Sequence, residues 1–367
     1  MNPFKKWTIV FLSCTGCLLV AVTFVNLIVD PVRVFSSDYD KSANALRASS
    51  PEFLSMKMLS GKYRYALIGS SRNLPVDVRF IHQELGQDCI NLGLGDASFY
   101  DFLIVAREVK KRGKHFVCGL DAFSLNSVRY QGRMYEAKRE KIRRSMEEGY
   151  SNLIFYMSTE MLRLSWDTIR IRLLGRSYNE RLDEIDRTNH PFSEERISLY
   201  FNNDKNLRYS NYTPPSDESL QELATLADDE DIFVIYPKHS LWYKHFCING
   251  VDAKYFGAVS KIVKQTRGKV ICFYGIYPLT EDRSNFDRDG WHFKPKLSRL
   301  IFQRIFDRNT GSEETEFGCL LTSENVDSRL AALRSKLMYD FALDGTPTGL
   351  DMRASHMSRK AAEQSPR

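Results

Sequence analysis

The chain has 367 residues, 43% of them hydrophobic and 12% aromatic, enough for one large domain or two small ones with a full core, which excludes disorder as the bulk state. Its 52 basic and 46 acidic residues leave a net charge of +6. The two signs are interspersed along most of the chain, which argues against a nucleic-acid-binding surface.

The first element is apolar. Lys5 and Lys6 precede an uncharged run of 22 residues, Thr8 to Val29, closed by Asp30, which matches the roughly 20 residues that cross a bilayer core. Residues 1–30 read as a cytoplasmic stub and a single transmembrane signal anchor. Positive charge ahead of the span keeps the N-terminus in the cytoplasm, so the remainder faces the periplasmic or extracytoplasmic side of the inner membrane. A cleaved signal peptide has an apolar region of about 7–15 residues ending in a small-x-small site. Here Ala21-Val22-Thr23-Phe24-Val25-Asn26 carries the run onward, so an uncleaved anchor is the better reading. Cys14 and Cys17 lack a leucine three positions earlier, which separates them from a lipoprotein box; both count as apolar helix residues.

Residues 31–61 are rich in Ser, Asp and Lys with few periodic apolar positions, as expected of a spacer leaving the membrane. Short apolar runs then recur at Tyr65–Ile68, Cys89–Leu92, His115–Leu120, Ile232–Tyr236 and Val270–Tyr274. They are continuous rather than alternating and bounded by Gly, Pro or charge, the pattern of strands buried on both faces. Between the second and third, Phe99, Phe102, Leu103, Val105, Ala106 and Val109 form an apolar helical stripe. The alternation predicts an α/β fold, a three-layer sandwich around a central parallel sheet of about five strands, over residues 62–308.

Residues 126–230 show no clear strand but long helical patterns, Lys138–Met146 and Met161–Leu174 among them. They read as a helical insertion between the third and fourth strands, with their alternating charges on a solvated face. Pro295 suits a first helical turn, and Leu297, Leu300, Ile301, Ile305 and Phe306 line one face of the closing helix. Residues 309–367 form a C-terminal extension with one amphipathic helix within Ser323–Phe341 and a disordered end from Gly345. Cys89, Cys118 and Cys272 lie in apolar runs and read as small buried hydrophobes. No Cys/His spacing outside the anchor fits a structural metal, so neither metal nor cofactor is expected.

The chemistry gathers where the strands end. Gly69-Ser70-Ser71-Arg72 follows the first strand. In an open parallel sheet ligands collect beyond the strands' carboxyl ends, and free backbone N–H groups there favour developing negative charge; the same tetrapeptide also suits a plain helix cap. Asp289-Gly290-Trp291-His292 precedes the last helix. An aspartate three residues before a histidine can accept the imidazole Nδ1–H and leave Nε2 facing a nucleophile. Asn91-Leu92-Gly93-Leu94-Gly95 closes the second strand, Gly119-Leu120-Asp121 the third, and Pro237-Lys238-His239-Ser240 the fourth. Gly93 and Gly95 fit either a tight turn or a close backbone approach to an oxyanion. Arg72 and His239 are candidate substrate-binding residues, although for Arg72 pairing with a nearby carboxylate to fix the turn is the favoured reading.

In order and strand context these segments resemble the SGNH (GDSL-like) hydrolase superfamily, over about residues 62–308 without the insertion. The resemblance implies Ser71 as nucleophile, His292 as general base and Asp289 as its orienter. It also implies an oxyanion hole from Ser71, Gly95 and the third block. Two departures stand out: Ser70 replaces the usual aspartate of the first block, and Asp121 stands where the family has an asparagine. An ionised carboxylate donates no hydrogen bond, so an oxyanion hole that includes Asp121 is weakened or rebuilt.

Anchor, Val29-Asp30-Pro31 exit and Gly-Ser-Ser-Arg block together resemble the exported branch, which includes periplasmic alginate O-acetylation proteins and the D-alanyl lipoteichoic acid transfer protein. The resemblance implies an extracytoplasmic acyl esterase or O-acyltransferase acting on a surface polysaccharide, partnered by a multi-span membrane O-acyltransferase. A non-catalytic scaffold or glycan-binding component of a modification or export complex is the rival, and a simple lipid esterase the third reading.

Overall fold

The computed structural model describes residues 2–35, 50–59, 61–74, 76–148, 154–174, 197, 211–306 and 317–343. Five buried strands run parallel in the order β2 (Cys89–Gly93), β1 (Tyr65–Gly69), β3 (His115–Gly119), β4 (Ile232–Ile235) and β5 (Lys269–Cys272). The sheet has a sixth strand that the sequence reading lacked. β6 (Cys319–Leu321) pairs antiparallel with β5 and places Cys319 opposite Cys272, so the sheet is mixed.

Alternate residues of each strand face two separate cores. Ala66, Ile68, Leu92, Phe116, Phe233 and Cys272 point to the larger one, which gathers α2 (Pro51–Leu59), α4 (Phe99–Lys111), α7 (Asp217–Leu226), α9 (Val251–Gln265) and α11 (Val326–Leu343). Leu67, Val117, Val234 and Ile271 point the other way, toward α3 (Val78–Leu85) and α10 (Pro295–Phe306). Both faces are therefore dry, which is why the strands read as unbroken apolar runs. α4 starts where Ser98 and Asp101 cap each other reciprocally, Asp101 N–H to Ser98 Oγ at 3.2 Å and Ser98 N–H to Asp101 Oδ2 at 2.8 Å.

Three segments differ from the sequence reading. Within the expected spacer 31–61, of which 36–49 lie outside the described residues, α2 buries Phe53, Leu54, Met56 and Met58. Its apolar positions cluster on nearly every side, so no period revealed it. The expected insertion contributes α5 (Arg133–Glu148) and α6 (Thr159–Leu174), but its last helix, α7, packs Leu220, Leu223 and Ala224 into the main core. The C-terminal extension supplies β6 and α11, whose Leu330 and Leu337 are buried in that core. The end from Gly345 lies outside the described residues.

The apolar helix α1 (Pro3–Val29) is long and apolar enough to span a membrane, and its most apolar window is uncovered by the rest of the chain. At about 1.5 Å per residue it is ~40 Å long. Its last turns do not end in a loose tether. Asn26, fully buried, donates to the Tyr156 carbonyl (2.6 Å) and accepts from Ser165 Oγ (2.8 Å). Asp30, with φ +46°, accepts the Tyr156 hydroxyl (2.6 Å) and the N–H groups of Val34 and Phe35 (both 2.9 Å). Val32, Val34, Phe53, Met56, Met161 and Leu164 pack around this junction as a small third core.

Tyr156→Phe removes a donor from a buried carboxylate and is expected to lower the unfolding free energy by about 1–3 kcal/mol. Denaturant titration of the detergent-solubilised chain measures it; an unchanged midpoint would show that the junction contributes nothing.

Candidate active site

Beyond β1 the chain folds back in a tight turn. Asn73 N–H donates to Ser70 O (3.0 Å) and Leu74 N–H to Ser71 O (3.2 Å). The turn is held from below by the fully buried Asn73 side chain, which fills the space over three strand ends. A Cβ on Gly69 would lie 2.5 Å from Asn73 Cγ, one on Gly93 3.0 Å from Asn73 Cβ, and one on Gly119 2.5 Å from the Tyr236 ring. These glycines are thus required by close packing, and for Gly93 that is a different reason from either turn geometry or oxyanion contact. Asn91 completes the wedge, its Nδ2 donating to Asn73 O (2.6 Å) and its Oδ1 accepting from Gly93 N–H (2.9 Å).

The turn is locked to the third and fourth strand ends by a buried ion pair. Arg72 is 0% exposed and Asp121 1%. Arg72 donates to Asp121 Oδ1 (2.7 Å) and to the Pro237 carbonyl, while Ser70 Oγ donates to Asp121 Oδ2 (2.7 Å). The rings of Tyr236, Trp291 and Phe293 lie 5.0–5.3 Å from the guanidinium, a distance at which a ring face attracts a cation. This corrects one sequence expectation, for Asp121, and bears out the favoured one, for Arg72. Asp121 is not part of an oxyanion hole, because both its oxygens are occupied as acceptors. Arg72 is not a substrate-binding residue, because no part of it reaches solvent; it pairs with a carboxylate and fixes the turn. Ser70, read only as a departure from the family pattern, is the hydroxyl that lets Asp121 hold the turn twice.

His292 reaches Ser71 from 221 positions away. Ser71 Oγ lies 2.8 Å from His292 Nε2, and His292 Nδ1 lies 2.6 Å from Asp289 Oδ2. Asp289 Oδ1 also accepts the N–H groups of Trp291 (2.9 Å) and His292 (3.0 Å), so the loop is wound around its carboxylate. Burial alone would raise the Asp289 pKa, but His292 and these donors hold it down at about 2. Burial likewise opposes an imidazolium at His292, yet the Asp289 carboxylate outweighs it and its pKa stands above the usual imidazole value. With Nδ1–H given to Asp289, Nε2 is free to accept the Ser71 hydroxyl proton. All three groups remain partly open to solvent.

The loop carrying the base is docked on the fourth strand end. His239 N–H donates to Gly290 O (2.9 Å) and Trp242 Nε1 to Asp289 O (2.7 Å). His239 itself is only 4% exposed, and its Nδ1 accepts Leu241 N–H (3.3 Å) at the start of α8 (Ser240–Ile248). Its place is that of the N-cap of α8.

Gly95 lies exposed beyond Leu94, whose N–H donates to Gly69 O (2.9 Å) and so brings this loop against the nucleophile turn. The backbone N–H groups of Ser71 and Gly95 have no acceptor among the described residues. The expected insertion braces the loop. Lys138 donates to Gly95 O (2.9 Å) and Asp96 O (2.6 Å), and Arg129 and Tyr135 donate to the Asp96 carboxylate (3.1 and 3.2 Å). The solvated-face reading holds for Glu140, Arg143, Arg144 and Glu147, which pair among themselves, but not for Lys138.

Sequence reasoning passed over Lys238. Its ammonium is completely buried, has no hydrogen-bond partner among the described residues, and sits 4.8 Å from the Trp291 ring and 5.0 Å from Tyr274. Burial and the nearby Arg72 charge bring its pKa down to about 7. Elsewhere, a His115–Asp228–Asp231 cluster at the opposite, amino end of the strands has its ligand atoms within 4.8 Å of one another, and Lys110 Nζ bonds both aspartates (2.6 and 2.7 Å).

No protein family model and no curated protein matches this chain.

Because the folded pKa of Lys238 lies below its unfolded value of 10.5, the unfolded chain binds the extra proton between pH 7 and 10.5. This group therefore makes stability rise with pH across that window and costs most below it. Lys238→Met is expected to flatten the rise and to stabilise the chain more at neutral pH than at pH 10. Denaturation midpoints at pH 7 and pH 10 test this; parallel shifts of both forms would contradict it.

Proposed function

We propose that this chain is an extracytoplasmic, membrane-anchored acyl esterase or O-acyltransferase of SGNH type, with the three-layer sandwich of that superfamily, acting on acyl esters of a cell-surface glycan. The observation that carries the reading is the continuous path Ser71 Oγ, His292 Nε2, His292 Nδ1, Asp289 Oδ2, with both junctions at hydrogen-bond distance (2.8 and 2.6 Å). Ser, His and Asp in this order form a nucleophile, a base and its orienter.

In the first step the Ser71 hydroxyl proton passes to His292 Nε2 as Oγ bonds the acyl carbon. The carbonyl electron pair moves to its oxygen, where the unoccupied N–H groups of Ser71 and Gly95 are the candidate donors. Collapse of this oxyanion breaks the bond to the glycan oxygen, which takes the proton from His292. The acyl-Ser71 ester is then resolved by water or by a sugar hydroxyl, deprotonated by the same imidazole. Asp289 stays ionised throughout and stabilises the imidazolium. The occupied carboxylate of Asp121 weakens the case for the non-catalytic rival, since that residue has a positioning task at this site rather than marking lost chemistry.

Asn26 and Asp30 are tied to Tyr156 and Ser165 by buried hydrogen bonds, which fixes the end of α1 on the domain and suits a retained anchor. With Lys5 and Lys6 on the cytoplasmic side, the triad lies outside the inner membrane. A multi-span acyltransferase supplying the acyl group is the partner that fits such a site.

A fluorophosphonate probe is expected to label the chain at Ser71 and to leave Ser71→Ala unlabelled; a wild-type chain that never labels favours the scaffold. Acetate release from an acetylated glycan, with no turnover of a long-chain fatty ester, separates the glycan reading from a lipid esterase. The reaction needs neutral His292, so kcat/KM should rise with pH through an inflection above 6.5. Asp289→Asn should lower kcat by about 10³–10⁴; an inflection at or below the ordinary imidazole value would contradict the geometry.

A further inference from the structure

α6 has a role that the triad leaves unexplained. It packs on the final turns of α1 through Ser165 and Asn26, and Met161, Leu164, Ser165 and Thr168 are buried on that side. At 100° per residue, Arg163, Trp166, Arg170 and Leu173 fall together on the opposite side, within about a quarter of the circumference. Trp166 is 60% exposed and Leu173 79%, and Ile154 (69%) and Met157 (44%) extend the apolar surface just ahead of the helix. Large apolar side chains clustered in the open mark a contact surface.

The anchor shows what covers it. On the sides that α6 leaves open, α1 still presents Phe24 (62% exposed), Leu27 (43%) and Ile28 (60%). α6 holds Asn26, which lies within this same stretch, so any lipid that surrounds Leu27 and Ile28 reaches α6 as well. A tryptophan and a leucine beside two arginines suit the headgroup boundary, where the ring and aliphatic stems enter the apolar layer and the guanidinium groups meet phosphate.

We propose that α6 lies in the headgroup layer beside the anchor, with Arg163, Trp166, Arg170 and Leu173 against anionic lipid. The inference rests on α1 being a retained membrane anchor, as proposed above. It adds a second, lateral attachment, so that the domain stands at a fixed height and tilt over the bilayer instead of swinging on one helix.

The test uses the full chain reconstituted in phosphatidylcholine–phosphatidylglycerol vesicles, with and without brominated acyl chains. Trp166 emission is the difference between the chain and Trp166→Phe; Trp7, 73% exposed on the anchor, is read the same way with Trp7→Phe. Bromolipid is expected to remove more than about half of the Trp166 emission, and Arg163→Glu with Arg170→Glu to diminish that loss. Trp166 emission quenched by aqueous iodide but not by bromolipid, with Trp7 quenched by bromolipid, overturns the α6 contact and leaves the anchor standing. Undiminished quenching in the double variant overturns the anionic-lipid part. A Trp7 signal that bromolipid does not reach overturns the anchor, and the α6 contact with it.

Discussion

The buried pair between Arg72 and Asp121 is the interaction on which the site depends. One guanidinium touches the ends of three strands: it belongs to the turn after β1, bonds the carboxylate after β3 and caps a carbonyl after β4. Ion pairs in a dry interior gain little net stability, because desolvation offsets most of the attraction. Their geometry is nonetheless exacting, since a charge left without its partner there is costly. Here that constraint sets the position of Ser71, the residue between Ser70 and Arg72, both of which Asp121 holds.

A second consequence of the pair lies in the rings around it. Trp291 lies near two buried basic groups, with Arg72 at 5.3 Å and Lys238 at 4.8 Å from its centroid. It is also the neighbour of His292 in the loop wound on Asp289. Nucleophile turn and base loop are therefore joined through one aromatic side chain as well as through the Ser71–His292 contact. Packing of this kind fixes the positions of Ser71, His292 and Asp289 relative to one another in the folded chain. Lys238 gives the cage a cost in stability near neutral pH, as structures often tolerate at working sites.

The anchor follows the same logic on a larger scale. A spacer would have left the domain free above the membrane. Instead Asn26 and Asp30, polar residues at the end of an apolar helix, find buried partners in Tyr156 and Ser165. Helix and domain form one packed unit through the third core, so the end of α1 and the strand-end rim keep one orientation relative to each other.

Local pattern determined a good deal by itself. The membrane-length run, the five parallel strands and the helices after β2 and before β6 were legible because burial on both faces gives unbroken apolar runs and burial on one face gives a 3.6-residue stripe. The positions of Ser71, Asp289 and His292 at strand and loop ends were legible too. What the sequence could not disclose was partnership. β6 is too short to announce itself, α2 is apolar without a period, and Arg72, Asp121, His239 and Lys238 look like accessible polar residues until folding buries them. Those outcomes depend on contacts between segments tens to hundreds of positions apart, and a charged side chain carries no local mark of whether its eventual neighbour is water, a carboxylate or an aromatic ring.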